Sequence, residues 1–367
     1  MTVAASTPAQ YRWRAMSATF VLMLVMVFPL VAQPDQRSLA APRTVRMLLN
    51  SGFTGANAWL LLADARGYFR AEGLTVEFTP GRGAFTAAAR IDPEGFDFGF
   101  GDINAVIEEV SRNRDRAPIG IFMLFNRSPS AIILPAGSRI NSPKQLEGRT
   151  IIGHATDVAR NTFAASAART GIDTTRVKIV ADSSGWAALL GAMEQGRADA
   201  VFEYLTTSTA AVEQMKRDVA STLRFLPFRD VVPELYGSTL MASRSMVSGA
   251  PDVVRAFLRA ANRGLVDAVA DPAAALTALA VRDPAMSRAV ERNRMLGTFG
   301  GDMGAAEGRT IGIGDVDTTR LATSIAMVTT SRGLARRPSH TEVFSRNFLP
   351  PLAARVTTLG AAGASRD

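Results

Sequence analysis

The chain carries few of the side chains that covalent catalysis and metal binding require. Its 367 residues include no cysteine and two histidines, His154 and His340. Without cysteine, disulfides, thiolate metal sites and a cysteine nucleophile are excluded. The sequence has no G-x-S-x-G elbow, and neither histidine has an evident acidic partner. We therefore predict a binding protein with no catalytic residue, no metal site and no cofactor.

Polar, charged and aromatic residues instead follow the ends of predicted strands, where ligand sites in α/β sheets lie. An arginine there would pair with a carboxylate, sulfonate or phosphate, and an aromatic ring would stack on a ring of the ligand. Asp102 and Glu203 would instead recognise an amine or an aminopyrimidine. The predicted ligand contacts are Ser51, Phe53, Thr54, Arg82, Gly83, Asp102, Asn104, Thr156, Asp157, Ser184, Trp186, Glu203 and Tyr204.

Several of these residues also have a purely structural interpretation. Ser51, Thr54 and Thr156 would cap helices, and Asp102 would be a helix N-cap. Trp186 would pack between a helix and a sheet. His154 ends a predicted strand at the same edge, and its competing interpretation is a core histidine with satisfied hydrogen bonds.

Alternating strands and helices position these residues. The pattern predicts parallel strands joined by helical crossovers. After about residue 242 the sequence is mainly helical, with Pro251 and the pair Asp271-Pro272 marking helix starts, and residues 297–314 read as a long loop. The predicted strands are 45–49, 74–78, 96–100, 131–134, 150–153, 177–180, 198–202 and 236–242, and the predicted helices between them include 57–72, 84–90, 161–169 and 186–195.

The strand–helix pattern restarts near Ser130, which predicts two α/β lobes. Residues 43–131 and 238–350 form the first lobe with the C-terminal helices, and residues 132–237 form the second. Two extended crossovers near Ser130 and Gly237 join the lobes and leave a cleft between them. Residues 351–367 are predicted to be a flexible tail.

The N-terminus predicts export. Arg12 and Arg14 precede an apolar stretch over residues 15–32, and small residues follow near residue 40. This is the pattern of a secretory signal peptide over residues 1–40, which predicts a periplasmic protein. The stretch is also long enough to stay as an uncleaved membrane anchor. The net charge of +8 is dispersed along the chain, so we do not expect nucleic-acid binding.

Six sequence elements, in register, resemble a known family. Residues 65–77 (ARGYFRAEGLTVE) resemble the A-x-x-x-G-[YF]-F-x-x-E-G-L-x-V signature of solute-binding proteins of ABC importers, in the nitrate, sulfonate, taurine and thiamine-pyrimidine-precursor (NMT1/THI5-like) family. The other matching elements are PGRG at 80–83, FDFG at 96–99 with Asp102, INSPKQLEGR at 140–149, GRADA at 196–200 and VVRAFLRAANRG at 253–264.

The resemblance implies a two-lobed type II periplasmic-binding-protein fold with two hinge crossovers. It implies capture of a small polar solute by hinge closure and delivery to an ABC permease by a monomer. The solute would be a sulfonate, another small organic anion or an aminopyrimidine. Residues 50–59 (NSGFTGANAW) lack the proline and the histidine-alanine pair usual in pyrimidine-precursor binders, which weakens the aminopyrimidine interpretation.

Two other functions remain open at this stage. The same fold would serve a sensory or partner-presenting module at the membrane, especially with an uncleaved anchor. One branch of the resembling family makes the thiamine pyrimidine with a cysteine-rich motif and a reactive histidine. The missing cysteines and the export signal count against that enzyme.

Overall fold

The computed structural model describes residues 1–4 and 42–359. The predicted signal segment therefore lies outside the described residues apart from residues 1–4, and so do residues 360–367 of the predicted tail. The described strands are β1 Arg43–Leu48, β2 Leu74–Thr79, β3 Phe98–Asp102, β4 Ile119–Met123, β5 Ser130–Pro135, β6 Thr150–Gly153, β7 Lys178–Ala181, β8 Ala200–Tyr204, β9 Leu223–Pro227 and β10 Ser238–Ala242.

These strands form two five-stranded mixed sheets. The first has the order β2-β1-β3-β10-β4, and the second has the order β7-β6-β8-β5-β9. In the first sheet β1 runs parallel to β2 and β3, while β10 runs antiparallel to β3 and β4. In the second sheet β6 runs parallel to β7 and β8, while β5 runs antiparallel to β8 and β9. We call each sheet with its helices a lobe.

Helices cover both sheets. The α-helices are α1 Ala58–Ala65, α2 Tyr68–Ala71, α3 Ala87–Arg90, α4 Ile103–Arg112, α5 Val158–Thr170, α6 Trp186–Glu194, α7 Leu205–Gln214, α8 Val219–Thr222, α9 Arg244–Gly249, α10 Pro251–Ala270, α11 Pro272–Arg282, α12 Arg288–Gly297, α13 Gly308–Ile311, α14 Thr318–Ser331 and α15 His340–Val343. The helix predicted over 57–72 is divided into α1 and α2, because Gly67 adopts φ +71° and ends the first helical run.

Residues 297–314 differ from the predicted loop. A π-helical turn, Thr298–Asp302, continues directly from α12, and α13 follows it. Residues 351–359 also pack against the fold: Val356 is buried and its carbonyl accepts from the Ile313 N–H at 2.8 Å. The Asn262 side chain donates to the Ala354 carbonyl at 2.7 Å. The part of the predicted tail that the structure describes is therefore held by polar and apolar contacts.

The chain crosses between the lobes twice. It leaves β4 at Met123 and enters β5 at Ser130, and it returns between β9 and β10 through residues 228–237. The two crossovers pair with each other: the Gly237 N–H donates to the Phe125 carbonyl, and the Phe125 N–H donates to the Ser238 carbonyl, both at 2.9 Å. A Cβ at Gly237 would lie 2.7 Å from Pro129 Cδ, so this approach requires glycine.

One C-terminal helix, α14, packs against α4 of the first lobe and α5 of the second. Its buried side chains Leu321, Ile325 and Val328 belong to the same apolar cluster as residues of both helices. In the chain from residue 42 to 359, no single helix has the length and apolar composition to cross a membrane. Taken together, α10 and α11 have that length and composition, but the two helices are bent by 117° relative to each other.

We expect the substitution Gly237→Ala to destabilise the protein. The added methyl group would overlap Pro129 and Phe125 on the paired crossover, and overpacking of this kind costs about 1–3 kcal/mol. Denaturant unfolding measures the change. Gly249→Ala is the control, because a Cβ there meets no atom within 4 Å. Equal free energies of unfolding for the two variants would contradict a tightly packed crossover.

Candidate functional site

A cavity of about 280 Å³ lies between the two lobes. The ends of β1 and β2 and the turns after them supply one wall, and the segments after β6 and β8 supply the other. This is the strand-end position expected for a ligand site in α/β sheets. The lining residues are Asn50, Ser51, Thr54, Ala56, Arg82, Gly83, Ala84, Phe125, His154, Thr156, Asp157, Val158, Glu203, Tyr204, Thr206, Thr207 and Arg294.

The structure brings most of the predicted ligand contacts to this cavity. Asp102 and Asn104 lie buried behind it. The predicted contacts that line the cavity are Ser51, Thr54, Arg82, Gly83, Thr156, Asp157, Glu203 and Tyr204.

Three predicted contacts lie elsewhere. Phe53 packs against the core of the first lobe, and Trp186 packs against the core of the second. Burial of their apolar rings against these cores is favourable. Trp186 therefore follows its structural interpretation. Ser184 is exposed, and its backbone N–H donates to Asp182 Oδ1 at 2.8 Å in a local turn.

Backbone hydrogen bonds fix the first wall. The Gly81 N–H donates to the Ser51 carbonyl at 2.8 Å, and the Gly83 N–H donates to the Asn50 carbonyl at 3.1 Å. A Cβ on Gly81 would lie 1.9 Å from the Leu49 carbonyl oxygen, so the PGRG turn reaches the end of β1 only because glycine occupies that position. The turn thereby places Arg82 at the mouth of the cavity, where its side chain is exposed.

A hydrogen bond between the lobes closes the floor of the cavity. The hydroxyl of Tyr204, the last residue of β8, donates to Oδ2 of Asp102, the last residue of β3, at 3.2 Å. Asp102 Oδ1 accepts from the backbone N–H of Asn104 at 2.9 Å and from its side-chain amide at 2.7 Å, so Asp102 is also the N-cap of α4. Burial raises the pKa of the Asp102 carboxyl to about 6. Burial and the nearby Asp102 charge raise the pKa of the Tyr204 hydroxyl well above its usual value.

Two more carboxyl groups line the second wall. Asp157 Oδ1 accepts from the Arg160 N–H at 2.9 Å and caps α5, and Glu203 Oε1 accepts from the Tyr204 N–H at 2.8 Å. Burial raises the pKa of Asp157 to about 6. Burial, followed by the charge of Asp157, raises the pKa of Glu203 to about 8. The surroundings of Glu203 thus favour the protonated form of its carboxyl group.

His154 is exposed at the cleft and not buried in the core, which differs from its competing interpretation. Its Nδ1 atom lies 2.8 Å from Thr156 Oγ1. A Cβ on Gly83, in the opposite lobe, would lie 3.7 Å from the same hydroxyl. The two walls therefore approach each other closely at Thr156. Among residues 1–4 and 42–359, no three His, Asp or Glu side chains gather as a metal site.

Sequence reasoning missed several lining residues. Asn50, Val158, Thr206 and Thr207 adjoin or nearly adjoin predicted contacts, so a wider window around each strand end would have included them. Arg294 has no such signal. It lies on α12 in the C-terminal helical part of the chain, and only tertiary packing brings it to the cavity.

The sequence matches one known protein family. A sequence model of the family described as NMT1/THI5 like matches residues 56–275. Comparison with curated proteins gave no match.

Solved structures share the fold. The alkanesulfonate-binding protein SsuA from Xanthomonas axonopodis pv. citri, bound to MOPS, gives a TM-score of 0.63 at 16% identity and covers 83% of this chain and 99% of its own. The periplasmic aliphatic sulphonate binding protein SsuA from Escherichia coli gives 0.61 at 13% identity, covering 83% and 92%. A mutant of DszB in complex with biphenyl-2-sulfinic acid gives 0.57 at 15% identity, covering 83% and 97%. The predicted two-lobed periplasmic-binding-protein fold is confirmed.

We expect Glu203→Gln to raise stability, increasingly so from pH 5 to pH 9. The pKa of Glu203 is higher in the folded protein, at about 8, than the ordinary glutamate value of 4.5. Ionisation therefore costs the folded state more than the unfolded chain, and wild-type stability falls as pH rises through this window. The cost is on the order of 1.4 kcal/mol for each unit of pKa difference.

Thermal unfolding across pH 5 to 9 measures this difference. Glu77→Gln, which changes an exposed glutamate on β2, is the matched control. A difference between Glu203→Gln and wild type that stays constant across the pH range would show that Glu203 is not held in a charge-disfavouring environment.

Proposed function

The chain belongs to the NMT1/THI5-like family, and from this premise we propose that it is the extracytoplasmic substrate-binding component of an ABC importer. It captures a small polar solute in the cleft between its lobes. The observation that carries the proposal is the cavity itself, which is lined from both lobes by polar side chains: hydroxyls, carboxyls, an amide, an imidazole and guanidinium groups. A volume of about 280 Å³ suits a small molecule.

The wall chemistry supports a ligand with more than one kind of polar group. Asp157 and Glu203 offer carboxyl oxygens to a donor nitrogen, and Arg82 offers a guanidinium to an acidic group. A sulfonate, another small organic anion or an aminopyrimidine remains the proposed ligand class. Within it, molecules that combine an acidic group with a donor nitrogen fit the walls better than a simple inorganic anion, which would offer the carboxyl groups no donor.

Hinge closure is the proposed mechanism. The first lobe comprises residues 43–131 and 238–350, and the second comprises residues 132–237. A ligand that contacts Ser51 or Arg82 in one lobe and Asp157 or Glu203 in the other binds the closed arrangement more tightly than the open one. The bond from Tyr204 to Asp102 crosses the same gap and adds to the closed state.

Delivery follows from closure. We propose that the closed monomer presents both lobe surfaces to an ABC permease, and that the segment over residues 1–40 directs export to the periplasm, by cleavage or as an anchor. The role is non-catalytic in this proposal. DszB, which is described as a desulfurization enzyme, shares the fold, but the chain has no cysteine and His154 pairs with the Thr156 hydroxyl.

A thermal-shift screen tests the binding function. The panel is taurine, alkane sulfonates, nitrate, aminopyrimidines and aromatic carboxylates. A ligand present at about 100 times its Kd stabilises a fold by roughly 2.7 kcal/mol, which a melting curve resolves. We expect a selective shift. No shift with any compound, together with no small molecule retained in native mass spectrometry, would favour the sensory or partner-presenting module instead.

Small-angle X-ray scattering tests the closure. The compound with the largest melting shift should reduce the radius of gyration at saturation, because closing the cleft brings the lobes together. A panel compound that gives no melting shift is the control. An unchanged scattering curve with a saturating ligand would mean that binding takes place without hinge motion.

A further inference from the structure

Helix α12 forms a third side of the cleft. It follows residue 275, where the family match ends, and it packs against the short 3₁₀ helix Gly55–Asn57 of the first lobe and against α7 of the second. The Asn293 amide donates to Glu213 Oε1 on α7 at 3.0 Å. A Cβ on Gly297 would lie 3.2 Å from the Thr206 methyl group. The helix therefore touches both walls of the ligand cavity.

Arg294 is the residue that α12 contributes to the cavity. Its side chain is 17% exposed, and its Nε atom lies 3.1 Å from Glu291 Oε2. That same oxygen accepts from the Gly55 N–H at 2.7 Å. A backbone amide of the first lobe thus fixes Glu291, and Glu291 in turn holds the guanidinium of Arg294 in place.

The guanidinium keeps its donors available. Within the described parts of the chain, the Arg294 guanidinium pairs with Glu291 through Nε, and its two Nη groups donate no hydrogen bond. These two groups are therefore available to an acceptor that enters the cavity. Arg82 differs, because its side chain is exposed to solvent.

We propose that Arg294 is a specificity-determining residue that receives the acidic group, a carboxylate or sulfonate, of the ligand. The inference rests on the proposed binding function. A planar guanidinium already oriented by Glu291 binds such a group through two parallel hydrogen bonds with little loss of side-chain freedom. Glu203, which also lines the cavity, then faces another part of the same ligand. The ligands that fit this arrangement carry an acidic group for Arg294 and a separate hydrogen-bond donor for Glu203.

Matched probes and matched variants test this assignment. The acidic probes are MOPS, taurine and propane-1-sulfonate, and N-methylmorpholine is the probe without the acidic group. Calorimetry compares wild type with Arg294→Gln, Arg294→Lys and Arg292→Gln. Arg292 is the control because it is exposed on the same helix and lies outside the cavity. Because it is also an arginine, its substitution by glutamine makes the same change in net charge. Melting curves confirm that each variant folds.

We expect Arg294→Gln to lower the affinity for the acidic probes by on the order of 10- to 100-fold, as for the loss of a charge-assisted hydrogen bond. Arg294→Lys should lower the affinity by an intermediate factor, and Arg292→Gln should change it little. The affinity for N-methylmorpholine should be nearly the same in all variants. Acidic probes that bind wild type and Arg294→Gln equally would overturn the role of Arg294 and leave the binding function standing. Wild type that binds none of the acidic probes would also overturn it, and the aminopyrimidines of the thermal-shift screen then decide whether the binding function survives.

Discussion

The pairing of the two crossovers determines the rest of the architecture. Backbone hydrogen bonds from Gly237 to Phe125, and from Phe125 to Ser238, hold both connections side by side where they pass between the sheets. The Ile103 N–H at the start of α4 donates to the Gly237 carbonyl at 3.0 Å, so the pair is also tied to the first sheet. Because both connections lie together, the strand ends of the two sheets face each other, and the polar residues that follow those strands share one cavity.

Because the strand ends of the two sheets face each other, three carboxyl groups are buried between or beside the lobes. Asp102 and Asp157 cap the helices α4 and α5, and Glu203 lies in β8 beside Tyr204. All three lie at or next to the cavity between the lobes. The pKa of each carboxyl is raised, mainly by burial. The surroundings of the cleft therefore favour the protonated forms of these carboxyl groups.

Much of this organisation could be predicted from sequence because it rests on local signals. Alternation of apolar strands and helices indicated the parallel strands of both sheets, and the Asp271-Pro272 pair marked the start of α11, where the Asp271 side chain accepts from the Ala274 N–H. Strand β9 lacks such a signal, because it is a short edge strand that carries Arg224. Phe53 and Trp186 follow strand ends, yet neighbouring cores draw their rings away from the cavity. Arg294 depends wholly on how α12 packs.

Helix α14 would constrain the proposed hinge closure in a way that two crossovers alone would not. Because its apolar side chains pack on α4 in one lobe and on α5 in the other, any relative movement of the lobes must slide or roll one of these contacts. Close-packed side chains transmit strain, so the hinge closure proposed above would have to repack the contacts of α14. The lobes would then move apart most readily at the edge opposite α14.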